Sequence, residues 1–474
     1  MMNYFSRIVF ICAFHLLIQQ AGIAQDSLVF SFDGYRSLVK SNHPYARQAD
    51  LQTMRGESAV RRARGNFDPL ISASFNNKEY QGNDYYALTN ATIKIPTIAA
   101  VELKAGYDLN TGAYLNEADV TPDDGLFFTG LSLPLLQGLV VDERRTALRQ
   151  AQAFQDFTTS EREILLNDLL LKAYNSYWEW WASYEKEKVA AQILSVSAQR
   201  FDAVKERALS GQAPIIDTVE AKIQVLLRQQ FLQEAQANEI KARFMLSSFV
   251  WDATGEEVQP RIVNQKYFPS AWNMENAKPS WMMDNYLLLR DSLQWMNPYL
   301  KQYDAKLDNV EAEERMKREK LKPQLNLNYN LLAEPLGNNT DANFSSNNYK
   351  WGMELILPTL LRGERGDLQL TRIKMQELKW EQQQKTQEIK NRAQATYENI
   401  FLLQQQTTLA DANVNNYLTL LDGERIKFFN GESSLFLVNQ RELQYADAQN
   451  KLIELRLKLR MAENELAFLL GTIE

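Results

Sequence analysis

The chain has 474 residues, 59 acidic against 52 basic side chains for a formal net charge of −7, one cysteine and two histidines. The acidic balance argues against a nucleic-acid partner. One cysteine and two histidines leave no material for a disulfide, a zinc site or a Ser/His/Asp triad, so no catalytic, cofactor-binding or metal-binding residues are assigned. A pair of carboxylates would suffice for a glycosidase, but it would need a concave domain of which the pattern gives no sign.

Arg7 precedes the apolar run Ile8 to Ile18, and Gly22 and Ala24 precede a cleavage point, so residues 1–24 read as a secretory signal peptide. Cys12 and His15 leave with it, and the loss of Arg7 takes the net charge to −8. The remaining His43 stands next to Pro44 at a helix start, where a capping or solvated role is expected. No later run of about 18 uncharged apolar residues exists, so any membrane crossing must use β-strands.

Asn42 and Pro44 open a helix that ends before Pro69, and Ile71, Ala73 and Phe75 then alternate as in a strand with one apolar and one wet face. A further alternating run, Val101, Leu103, Ala105, Tyr107 and Leu109, is either an extracellular extension or additional wall. A returning strand carries Phe127, Leu131 and Leu133 into Leu-Pro-Leu-Leu-Gln-Gly at 133–138. From Leu139 to Ser210 there are 72 residues without Gly or Pro, about 108 Å if wholly helical. Leu166, Leu170, Ala173, Tyr177, Trp180 and Tyr184 step by four and three in coiled-coil fashion, and Tyr174, Trp178 and Trp181 widen that stripe into an aromatic core. Gly211-Gln212-Ala213-Pro214 reads as a turn. Residues 252–296, with Gly255, Pro260, Pro269, Pro279, Trp272, Trp281 and Trp295, read as a linker packed outside the helical body.

The pattern then repeats. Asn297 and Pro298 open a helix ending before Pro323, so Pro44 and Pro69 both recur 254 residues later. Leu325, Leu327, Tyr329 and Leu331 alternate with Asn326, Asn328 and Asn330; the returning strand sets Tyr349, Trp351, Met353 and Leu355 against Lys350, Gly352 and Glu354. Leu357 to Gly363 answers the first Leu-Pro exit. The last 116 residues contain no proline, and their convincing turn is Gly431-Glu432-Ser433-Ser434. Leu452, Leu455, Leu459, Ala462, Leu466 and Leu469 repeat the coiled-coil spacing. The domain reading is therefore 25–251 and 297–474 as two helix-strands-helical-hairpin repeats with 252–296 between them.

The strand alternation satisfies either a half-buried soluble sheet or a barrel wall with lipid outside and water inside. The signal peptide and the over-long helical hairpins favour the wall. Two strands per copy give about four per chain, too few to close a barrel, so oligomerisation is required; three chains give about 12 strands.

The doubled Asn-x-Pro or Asn-Pro helix start, the Phe67-Asp68-Pro69 and Leu321-Lys322-Pro323 approaches to strands, and the two Leu-Pro exits resemble the TolC-type outer-membrane efflux family over essentially the whole mature chain. The resemblance implies a mixed α/β membrane protein: a homotrimeric β-barrel in outer-membrane lipid continued by a coiled-coil α-helical barrel across the periplasm of a Gram-negative cell. It implies a periplasmic adaptor and, through it, an inner-membrane pump as partners. Gly211, Gln212, Pro214, Gly431, Ser433 and Ser434 match the adaptor-docking tips, and Asp217, Glu220, Leu437 and Gln440 match the periplasmic constriction. Leu437 and Gln440 stand where well-known members carry a pair of gate aspartates. Asp217 also fits a simple helix cap. The expected function is the exit duct of a tripartite efflux or type I secretion system; the competing expectation is a coiled-coil scaffold anchored to the outer membrane without a channel.

Overall fold

The computed structural model describes residues 29–255, 268–269, 285–335 and 344–473. The expected signal peptide, Trp272 and Trp281 lie outside them. The principal elements are α1 (Phe32–Asn42), α2 (Pro44–Arg64), β1 (Leu70–Tyr80), β2 (Asn83–Pro96), β3 (Glu102–Thr111), β4 (Leu126–Pro134), α3 (Glu143–Leu209) and α4 (Ile215–Ser247). There follow α5 (Pro298–Glu319), β5 (Gln324–Ala333), β6 (Tyr349–Ile356), α6 (Arg362–Phe429) and α7 (Leu435–Leu470). The chain divides into two compact units, one of Met1–Arg47, Leu166–Leu289 and Ala393–Glu474, the other of Gln48–Leu165 and Arg290–Arg392.

Local chemistry sets the helix ends. Ser31 caps α1 by accepting from the Gly34 amide, and Asn297 caps α5 by accepting from the Tyr299 amide, with Pro298 in the first turn where its missing N–H costs nothing. At 67 and 68 residues, α3 and α6 run far beyond an ordinary helix. Among the described residues no helix is long and apolar enough to cross a membrane.

The first unit is helical and its core is aromatic. Tyr35, Tyr177 and Trp180 are fully buried, with Trp181 and Leu246 beside them. Phe32 meets Tyr174 and Tyr177 edge-on at 5.0 and 5.2 Å between ring centroids. The polar ends of Tyr35, Tyr177 and Trp180 are satisfied: the Tyr35 hydroxyl donates to the Ala173 carbonyl at 3.0 Å, that of Tyr177 to the Phe30 carbonyl at 2.8 Å, and the Trp180 indole to Glu239 at 3.1 Å. Each such ring removes about 150–250 Å² from water, which at about 25 cal/mol per Å² outweighs any surface ion pair. The expected stripe at Leu452, Leu455, Leu459, Ala462, Leu466 and Leu469 is buried throughout. His43 caps α1 and is buried rather than solvated, its Nδ1 accepting from the Tyr45 amide. Trp295 is 75 % exposed.

The second unit holds a six-stranded antiparallel sheet in the order β1-β2-β3-β4-β5-β6. Six strands replace the four expected from the sequence. The additional pair, β2 and β3, is built from the extra residues of the first hairpin, and the run at Val101 to Leu109 becomes β3 within the sheet rather than an extension beyond it.

Candidate functional site

The register gives this sheet two chemically distinct faces. One continuous row reads Leu70, Lys94, Lys104, Gly130, Asn330, Lys350, and the next reads Ile71, Ile93, Ala105, Thr129, Leu331, Tyr349. Because side chains alternate along each strand, Ser72, Ser74, Asn90, Thr92, Glu102, Asp108, Ser132, Asn326, Asn328 and Glu354 share the face of the lysines. Ala73, Ala91, Ile95, Leu103, Tyr107, Phe127, Leu131, Leu327, Tyr329, Trp351 and Met353 share the other. The polar side is internally bonded: Lys104 reaches Glu102 at 3.7 Å and Asn328 at 3.4 Å, and Arg144 reaches Glu102 at 3.2 Å.

The two edges are open. Every position of β1 and of β6 is exposed, including Ile71 at 76 %, Phe75 at 69 % and Trp351 at 59 %. An exposed edge of eleven residues on one side and eight on the other presents unpaired backbone groups that lipid cannot satisfy. The six strands alternate in direction, so β1 and β6 run oppositely, and the β6 edge of one chain can continue the antiparallel ladder on the β1 edge of another.

In the helical unit, the two long-helix turns have the same construction. Gly211 has φ 73° and Gly431 φ 80°. The amides of Gly211 and Gln212 donate to Ala208 and Arg207 at 3.1 and 2.8 Å, and those of Gly431 and Glu432 to Phe428 and Lys427 at the same distances. Each is a left-handed helix termination that favours glycine. Ser434 caps α7 by accepting from the Leu437 amide, and the Ser433 hydroxyl donates to Glu424. Gln212 and Pro214 are exposed, as are the apolar side chains of Leu209, Ile215, Ile216, Phe429 and Phe436.

Asp217 and Glu220 lie half-buried in the first turns of α4, whereas Leu437 and Gln440 are exposed on α7. The cap of α4 is Pro214, without a side-chain hydrogen bond, so Asp217 is not the capping residue. Behind the turns lies a charged network that the sequence reading missed. Glu442, 3 % exposed, accepts from Arg200 of α3 and, at 3.1 Å, from Arg425 of α6; Arg200 also donates to Asn439. Arg228 of α4 is buried close to them, and that burial lowers its pKa. The signal was present: Glu442 falls four residues after Val438 and four before Ala446, a charge inside a buried stripe. Further along α7, burial pushes the Glu463 carboxyl up to about 7 despite Arg460 at 3.0 Å. Among the described residues no group of three or more His, Cys, Asp or Glu could hold a metal ion.

A two-faced antiparallel sheet combined with helical hairpins of this length is the fold of outer-membrane channels, and solved structures bear this out. The outer membrane channel CmeC of Campylobacter jejuni is 12 % identical with a TM-score of 0.64, over 93 % of this chain and 85 % of that one. VceC of Vibrio cholerae, an outer membrane protein, is 13 % identical with a TM-score of 0.62, over 93 % and 95 %. The MtrE outer membrane channel of Neisseria gonorrhoeae, in its open state, is 12 % identical with a TM-score of 0.63, over 93 % and 89 %. Residues 289–472, which take in the second copy, match the family described as outer membrane efflux protein. The family to which the doubled motifs point is thus the one the C-terminal half matches. No curated protein sequence matches the chain.

Proposed function

We propose that the chain forms the outer-membrane exit duct of a tripartite efflux system. The observation that carries this reading is the sheet: polar along one face, apolar along the other, and open at both edges. Closed with copies of itself, such a sheet encloses water and meets lipid, and it cannot enter a bilayer any other way. Three chains, the number the family resemblance implies, close about 18 strands, a size that leaves an aqueous channel. The tandem organisation of 25–251 and 297–474 supplies two helical hairpins per chain for the periplasmic part. Their turns at Gly211, Gln212, Pro214, Gly431, Ser433 and Ser434, flanked by exposed apolar side chains, suit the docking of a periplasmic adaptor that connects to an inner-membrane pump. Asp217, Glu220, Leu437 and Gln440 follow those turns and line the constriction, with a single acidic pair per chain.

The test is a mass measurement in detergent joined to single-channel recording. We expect about three times the mass of the mature chain, and a Ser74→Cys, Gly352→Cys variant treated with a bifunctional thiol reagent should give a ladder ending at three chains. A trimer that fails to conduct would favour the non-channel scaffold, and a well-behaved monomer would remove the duct altogether.

A further inference from the structure

We propose that residues 112–125 form a strap across the lumen-facing side of the sheet and constrict the duct at its outer end; this rests on the exit-duct reading. The segment joins β3 to β4 at the end of the sheet remote from the helices, since α2 leads into β1 and α5 into β5 at the opposite end. A loop of this length could project outward from the barrel rim. This one stays near the rim at its end, where the Tyr107 hydroxyl of the apolar face donates to the Asp124 carbonyl at 2.7 Å, but its centre is tied back onto the polar face by two side chains.

Its start is held at β2. The Tyr114 amide donates to the Tyr85 carbonyl at 3.1 Å, and the two rings stack at 4.7 Å. Its centre is held at β3, where Asn110 donates through Nδ2 to the Asp119 carbonyl at 2.8 Å and its backbone amide donates to the Thr121 hydroxyl at 3.0 Å. The same centre reaches β6, where Lys350 Nζ donates to the Ala118 carbonyl at 3.5 Å. Asn110 and Lys350 belong to the polar face by register. The centre of the strap, Ala118 and Asp119, therefore lies over the face assigned to water, held from Asn110 of β3 and Lys350 of β6. It carries Glu117, Asp119, Asp123 and Asp124, all exposed, and no Lys or Arg. Permeants passing the mouth meet this chain segment and its negative charge before they meet the sheet.

The test uses the full-length trimer in planar bilayers. Ala118 is exposed and its side chain takes part in no bond, so an Ala118→Cys variant should fold; the natural Cys12 lies in the expected signal peptide. Reaction of the open A118C channel with a bulky anionic methanethiosulfonate should cut its conductance roughly by half or more, reversibly with reductant, while wild-type current stays unchanged. Independently, Glu117→Gln with Asp119→Asn should move the reversal potential in a salt gradient toward zero. If wild type conducts but A118C current is indifferent to the reagent and the double variant keeps the wild-type reversal potential, the strap is overturned and the duct stands. A wild-type protein that does not conduct overturns both.

Discussion

Gly211 and Gly431 show how a single residue can be isolated energetically. A Cβ added at either would meet nothing within 4 Å, so the cost of substitution is the positive φ alone. For Gly211→Val with Gly431→Val we expect a loss of about 1–2 kcal/mol per turn, too little to undo helices held along their whole length. Trimer levels should stay normal while adaptor crosslinking and export fall; reduced trimer with normal export per trimer would show the turns to be structural only. Glu463 is the opposite case, since its environment is everything. Its folded pKa of about 7 lies above the ordinary carboxylate value because burial disfavours its charge. A raised pKa contributes stability that is complete below the unfolded pKa of about 4.3 and is lost as pH rises through about 7. Thermal denaturation of Glu463→Gln should match wild type near pH 4 and exceed it near pH 8, and equal shifts at both pH values would contradict the assignment. His43, buried behind its cap, was legible as a cap from Pro44 next to it, but its burial was not, because nothing local announces Phe249 and Trp251 against its ring.

Among elements, the strands divide by how much of their apolar face is large. β5 and β6 carry Leu, Tyr, Trp and Met on that face and are plain in the sequence. β2 carries Ala87, Thr89 and Ala91 before Ile93 and Ile95, so its alternation is chemically shallow and the strand is invisible until its register with β1 and β3 is known. The run that becomes β3 is legible as a strand, but its place in the wall is set by partners distant in sequence. The same faces set the expected response to charge. Ile93→Lys puts an ammonium on the lipid side of β2, at a cost of about 2–4 kcal/mol near mid-bilayer, whereas Thr92→Lys puts one in water. Outer-membrane yield should fall for the first and hold for the second; equal yields would mean that the apolar face does not meet lipid. The Arg200, Arg425 and Glu442 network was missed for a different reason. Carboxylates are so common along these helices that Glu442 stands apart from its solvated neighbours only by its place in the stripe of Val438 and Ala446.

For the whole molecule, the net charge of −8 expected after signal removal and the acidic strap predict a duct that favours cations. The preference should weaken as salt rises, because the screening length shortens to about 8 Å at physiological ionic strength. Reversal potentials recorded across salt gradients at low and high ionic strength measure it, and an anion preference would contradict the charge assignment. The duplicated motifs made the repeat order and the need for further chains readable from the sequence, while the number of strands was not, since β2 shows its place only through its partners β1 and β3. The strap has a last consequence, for symmetry. The turns at Gly211 and Gly431 are nearly equivalent in geometry, so a trimer offers six similar tips and a pseudo-sixfold arrangement there. The segment 112–125 belongs to the copy that brings four strands to the sheet, against two from the other, so the two copies are unequal at the mouth and a trimer has only a strict threefold there. A ligand that reads the tips can bind in two alternative angular settings, sixty degrees apart, whereas one that reads the mouth has a single setting repeated three times.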